Sequence, residues 1–188
     1  MKVRACVLAV GLAVTVSACD SSIFSSDGPS DAPVVLSVPY RAQQTQVWCW
    51  AATSEMVLAY YDVNIPQCEI LSAWMQTNCC VVNPVCERTA SLQVMQGTLN
   101  YFGGLESYIS GALTFDQVRT EIDAGRPLIL AYSNSFAAHV VVLYGYDPRN
   151  ASVYVHDPYF GSFNPPYGSS FNYGGTMYWY QTIAGIRR

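Results

Sequence analysis

After Pro127 the hydrophobic period of this chain changes, and that switch limits the folds open to it more than any other feature. Before it, the periodic segments are helical. WCWAATSEMVLAYY (48–61) holds neither Gly nor Pro, and Ala52, Met56, Ala59 and Tyr60 recur at spacings of three and four, which predicts a helix from Cys49 to Tyr61. Pro66 opens a short second helix. SLQVMQGTLNYFGG (91–104) predicts a helix closed by Gly103. TFDQVRTEIDAG (114–125) has Thr114 and Gln117 at capping-box spacing and a stop at Gly125. Beyond Pro127, PLILAYS (127–133), HVVVLYGYD (139–147) and SVYVHDP (152–158) are β-branched and aromatic, and Asp147-Pro148-Arg149-Asn150 forms a turn between the last two. Residues 160–175 are rich in Gly, Pro, Ser, Asn and Tyr and predict a long loop before a closing strand, MYWYQTI (177–183). Helices first and antiparallel strands second make the class α+β, with a helical lobe followed by a sheet lobe.

The start of the chain bears on where this domain works. Lys2 and Arg4 precede ACVLAVGLAVTVSA (5–18), which has the length of a signal-peptide core and is too short to span a bilayer comfortably. Val16-Ser17-Ala18-Cys19 resembles a bacterial lipobox, so residues 1–18 are expected to be a signal peptide and Cys19 the lipidated residue. Ordinary cleavage and secretion is the alternative. Residues 19–33 are rich in Ser, Asp, Gly and Pro and cannot bury enough apolar surface to fold, so they read as a tether to a domain over 34–188. The expected location is the bacterial cell envelope, lipid-anchored and facing the periplasm or exterior. Without Lys2 and Arg4, seven basic residues stand against thirteen acidic ones and no lysine remains. That acidic balance argues against a nucleic-acid partner.

Of seven cysteines, Cys68, Cys79, Cys80 and Cys86 crowd into CEILSAWMQTNCCVVNPVC. An exported domain sits where disulfides persist. Adjacent Cys79 and Cys80 do not pair with each other in ordinary geometry, so Cys68 is expected to bridge to one of them and Cys86 to the other. A four-cysteine zinc site is the rival arrangement, and the spacing fits no common one. The cluster reads as self-contained. With Cys6 in the expected signal peptide and Cys19 expected to be lipidated, Cys49 is left over, and a lone thiol in an oxidising compartment is a candidate nucleophile.

Its setting suits that role. Cys49 opens the first helix, where unsatisfied N–H groups and a partial positive charge favour an ionised thiol. Such a thiol needs a base partner, and the base an orienting acceptor. Only two histidines exist. His139 begins one strand of the predicted hairpin and Asp157 ends the other, so counting outward from the turn puts them near the same end. His156, one residue before Asp157, faces the other way and is expected to be structural. The Cys49 amide and one of Gln43, Gln44 or Gln46 are candidate oxyanion donors. Trp48 and Trp50 read as packing walls, and Asn150-Ala151-Ser152 as a sequon of no weight.

Gln43 six positions before Cys49, Cys-Trp-Ala-Ala opening a helix, His139 before an apolar strand ending Gly-Tyr, and Asp157 before Pro158 together resemble the papain-like cysteine peptidases. The likeness is to the bacterial branch that includes the bacteriocin-leader-processing peptidases and a secreted plant-pathogen effector protease. It spans about 38–158. It implies a papain-like two-lobed fold, with Gln43 in the oxyanion hole, Cys49 as nucleophile, His139 as general base and acid, and Asp157 as the orienting residue. It also implies a peptide or protein substrate, a monomer, and no metal or organic cofactor. Papain carries asparagine at the last of those positions. The cysteine cluster and the Tyr-rich loop depart from the pattern and bear on specificity. Two other readings use the same scaffold: a catalytically silent surface-binding lipoprotein, and a cell-wall amidase or transpeptidase. The latter usually shows an Asp-Cys-Ser-Gly signature, which is absent here.

Overall fold

The computed structural model describes residues 31–168 and 177–188, which belong to one compact unit, Asp31–Arg188. In chain order the elements are β1 (Val34–Val35), α1 (Cys49–Tyr60), α2 (Gln67–Met75), a 3-10 turn (Pro84–Cys86), α3 (Leu92–Gly103), β2 (Glu106–Ser110), α4 (Phe115–Asp123), β3 (Leu128–Ser133), β4 (Ala138–Asp147), β5 (Ser152–Asp157), β6 (Gly161–Phe163) and β7 (Tyr178–Arg187). The strands form one antiparallel sheet in the order β2-β7-β3-β4-β5-β6, and β1 pairs with β4 at Gly145 and Tyr146.

The run Val140-Val141-Val142-Leu143 is apolar at every position because the sheet is covered on both faces. Val140 and Val142 join the core shared with α1, α2 and α3, whereas Val141 and Leu143 join the core under α4. α1 lies deep in the first core. Met56, Val57 and Leu58 are all fully buried, and each such side chain stabilises the fold by about 1.5–3 kcal/mol relative to exposure. Glu55, its one charged residue, is held by Arg41 at 3.2 Å and by Gln67 at 2.9 Å. α4 begins with the predicted capping box, Thr114 and Gln117 bonding reciprocally.

Several boundaries differ from expectation. α3 runs to Gly103, but the left-handed cap that closes it is Gly104, with a φ of 62°. Gly103 is small for packing, since a Cβ there would lie 2.9 Å from a methyl of Leu58. The closing strand runs to Arg187 because Ile183, Ala184 and Ile186 are buried and extend the pairing with β2. Part of the expected loop 160–175 is strand β6; residues 169–175 lie outside those described. β1, at two residues, is too short to carry a periodic signal, and β2 is an outer strand half open to solvent.

Candidate active site

α1 starts at Cys49 without help from a side chain. Trp48, at the N-cap, offers no capping bond, and the first turn has no acidic residue. The leading N–H groups are therefore not taken up by a side-chain cap, and the helix dipole acts at the sulfur's position. Cys49 is the free cysteine among the described residues. The other four form Cys68–Cys80 and Cys79–Cys86, which resolves the open pairing and removes the zinc alternative.

The β4–β5 register explains how two residues 18 apart meet. His156 pairs with Val142, so Asp157 falls beside Val141, whose side chain shares a sheet face with that of His139. His139 Nε2 lies 3.0 Å from Asp157 Oδ1. The same oxygen accepts from the Tyr159 N–H at 2.6 Å and the Phe160 N–H at 3.0 Å. These two amides, which no side-chain pattern announces, lock a carboxylate that is itself fully buried. Cys49 is the second group that acts on the ring, adding to the upward push on its pKa. With Nε2 engaged by the carboxylate, Nδ1 is the nitrogen that remains for the sulfur. Burial pulls the His139 pKa down, but the hydrogen bonds and charges of Asp157 and Cys49 outweigh it and raise the pKa from 6.5 to about 9. The ring is thus an imidazolium at neutral pH.

His156 behaves as expected of a structural residue. Its Nε2–H donates to the Val38 carbonyl at 2.9 Å, so Nδ1 is the acceptor facing Ser162 Oγ at 2.7 Å, and Tyr144 stacks on the ring. Burial lowers its pKa despite the Val38 bond, which keeps it neutral.

Gln43 sits just ahead of the helix. Its Nε2 donates to Thr45 O at 2.7 Å, the carbonyl that also accepts the long bond from Trp48 N. Its backbone N–H donates to Pro158 O at 2.8 Å, tying it to the residue after Asp157. Gln44 and Gln46 are exposed. Cys19 lies outside the described residues.

The cysteine cluster is self-contained in its pairing, as expected. It also holds the site's flanks, because the buried indole of Trp48 donates to Cys86 O at 2.8 Å and that of Trp50 to Arg88 O at 2.9 Å. Both tryptophans flanking Cys49 are therefore hung from the segment that the Cys79–Cys86 bridge closes. They are walls, as read, but walls with a polar anchor.

A cysteine beside an imidazolium at a helix start, with a locked carboxylate behind the ring, is able to attack a carbonyl and protonate a leaving amine. Comparison with known proteins agrees. No curated protein matches the chain. Among solved structures, a double glycine motif protease from an AMS/PCAT transporter, in complex with the leader peptide, is 22% identical with a TM-score of 0.53, over 81% of this chain and 96% of that one. A C39-like peptidase from Bacillus anthracis is 15% identical with a TM-score of 0.58, over 82% and 98%. UfSP from C. elegans is 12% identical with a TM-score of 0.54, over 87% of this chain and 35% of that one. These are likenesses of fold. Residues 35–181 match the Peptidase_C39 like family itself. The chain belongs to that family of C39-like peptidases.

Proposed function

We propose that this protein is an exported, lipid-anchored peptidase that hydrolyses peptide bonds through Cys49, His139 and Asp157, with Gln43 and the Cys49 amide as the oxyanion site. The observation that carries the reading is the His139 ring, held by the buried Asp157 at 3.0 Å and acted on by both Asp157 and Cys49, which raise its pKa. The Cys49 thiolate attacks the scissile carbonyl carbon, and the charge that develops on oxygen is met by the Gln43 amide and the N–H of the helix start. The C–N bond then breaks. Because His139 already holds its proton, it acts first as an acid and gives that proton to the departing amine. This leaves a thioester. Water attacks it, His139 takes the water's proton, and the acid product leaves as the thiolate re-forms beside the imidazolium.

The peptide substrate is supported by the leader peptide bound to the transporter protease of similar fold. The anchor rests on Cys19 in Val-Ser-Ala-Cys and on the polar tether after it. One acyl chain binds a membrane only marginally, whereas two or three hold a soluble domain there. We expect the anchored domain to act as a monomer.

The test is thiol labelling across pH with wild type, Cys49→Ala and His139→Ala, beside cleavage of denatured protein and of purified cell wall. Fast labelling at near-neutral pH that disappears with Cys49 and slows with His139, together with protein cleavage, is the expected result. A wild-type thiol no faster than free cysteine overturns the enzyme reading in favour of a surface binder. Cleavage of cell wall alone replaces peptidase by amidase.

A further inference from the structure

Gln67 was not conspicuous in the sequence, where it is one amide after a proline. In the fold it is 1% exposed, and both ends of its side chain are engaged. Its Nε2 donates to the Ala42 carbonyl at 2.9 Å and to Glu55 Oε2 at 2.9 Å, and its Oε1 accepts the Gln44 N–H at 3.0 Å. Ala42 O belongs to the peptide plane before the Gln43 Cα, and Gln44 N to the plane after it. A single buried side chain therefore grips both planes. Rotating either backbone dihedral of Gln43 breaks one of these bonds, so the direction of its Cα–Cβ bond is set. The Gln43 N–H to Pro158 O bond at 2.8 Å reinforces the first plane.

The grip is itself anchored. Glu55 fixes the amide from α1, six residues after Cys49, and is balanced by Arg41 at 3.2 Å. Cys68, the next residue along α2, is bridged to Cys80. Gln67 thus joins the helix carrying the nucleophile to the segment carrying the oxyanion amide. A donor that must meet an oxygen only as it becomes charged works through preorganisation, and that is what a two-sided backbone clamp supplies.

Resting on the catalytic reading above, we infer that Gln67 is a positioning residue of the oxyanion site: it holds Gln43 in register with Cys49 and touches neither substrate nor sulfur. Removing an oxyanion donor costs about 10²–10³ in rate, and a donor left loose should cost about 10–100-fold.

The experiment compares wild type, Gln67→Met, Gln43→Ala and the double variant in two reactions of Cys49. Acylation by an activated peptide ester passes through a tetrahedral oxyanion. Alkylation by iodoacetamide displaces iodide at a saturated carbon and forms none. Gln67→Met is expected to slow acylation about 10–100-fold while alkylation stays within about twofold, and to cost nothing further once Gln43 is alanine. Equal losses in both reactions, unchanged acylation, or losses that multiply in the double variant would each overturn the assignment. Should Gln67→Met not fold, Gln67→Glu with Glu55→Gln replaces it. That swap keeps the bond between the two side chains and the acceptor for Gln44 N–H, and removes the donor to Ala42 O, so the same selective loss of acylation is expected. If wild-type Cys49 alkylates but never acylates, the catalytic reading falls and this inference with it. If wild type acylates and the Gln67 variants match it, only the inference falls.

Discussion

Replacing Asp157 by asparagine keeps the size of the side chain and removes its charge, so it isolates what the carboxylate does to His139. Its hydrogen bond and its charge each raise the ring pKa at least as much as the corresponding contributions of Cys49 do. Asp157 is therefore the larger source of the upward push. The rise from 6.5 to about 9 understates that push, because burial opposes it. Losing the charge is expected to lower the ring pKa by on the order of one unit. The alkaline limb of kcat/KM for a peptide ester, where the imidazolium loses its proton, is expected near pH 9 in wild type. In Asp157→Asn it is expected about one unit lower. The position of the limb is the readout, since its height also reflects ring orientation. An imidazole nitrogen titration gives the same number directly, and His156 is recognisable as the ring with the lowered pKa. An alkaline limb that stays at its wild-type position in the variant refutes the account. The same shift is linked to folding. His139 has a raised folded-state pKa, so its contribution to stability is fully present below about 6.5 and is lost as pH rises through about 9.

Three further outcomes are expected. His156→Phe should lower the melting temperature by removing the bonds to Val38 O and Ser162 Oγ, yet leave Cys49 alkylation and the alkaline limb in place; a loss of thiol reactivity would mean the site had been assigned to the wrong histidine. Opening the second bridge with Cys79→Ser and Cys86→Ser should cost about 2–3 kcal/mol in denaturant unfolding. It should also alter tryptophan emission, because the carbonyls anchoring Trp48 and Trp50 lie at and just beyond Cys86; unchanged emission would detach the bridge from the nucleophile segment. Gly185→Ala should destabilise by about 2–4 kcal/mol. Its φ is +66° and a Cβ would lie 2.5 Å from the Tyr108 ring, so Tyr108→Ala in the same chain should restore part of the loss, and full additivity would refute the overlap.

Much of the fold was legible where residue type and period agree. The helix from Cys49, the Thr114 capping box and the three strands after Pro127 all carry side chains that report their environment. The meeting of His139 and Asp157 was legible too, because an antiparallel pair with a short turn leaves few registers open. Elements at the edges were not. β1 and β6 have two and three residues, below the length at which alternation means anything.

The link from the cysteine cluster to the site was hidden for a different reason. The bonds that wire it to the site end on backbone carbonyls, those of Cys86 and Arg88, and a carbonyl is present whatever residue carries it. The clamp on Gln43 likewise ends on Ala42 O and Gln44 N. Side chains that perform chemistry are few and distinctive, so they stand out in one sequence. The groups that hold them in place are mostly main chain, identical at every position, and become visible only when the fold brings them within about 3 Å of a donor or acceptor. A site can therefore be named from its reactive residues while the reason they are aligned stays hidden, and for this protein that reason converges on Gln67 and the two indoles beside Cys49.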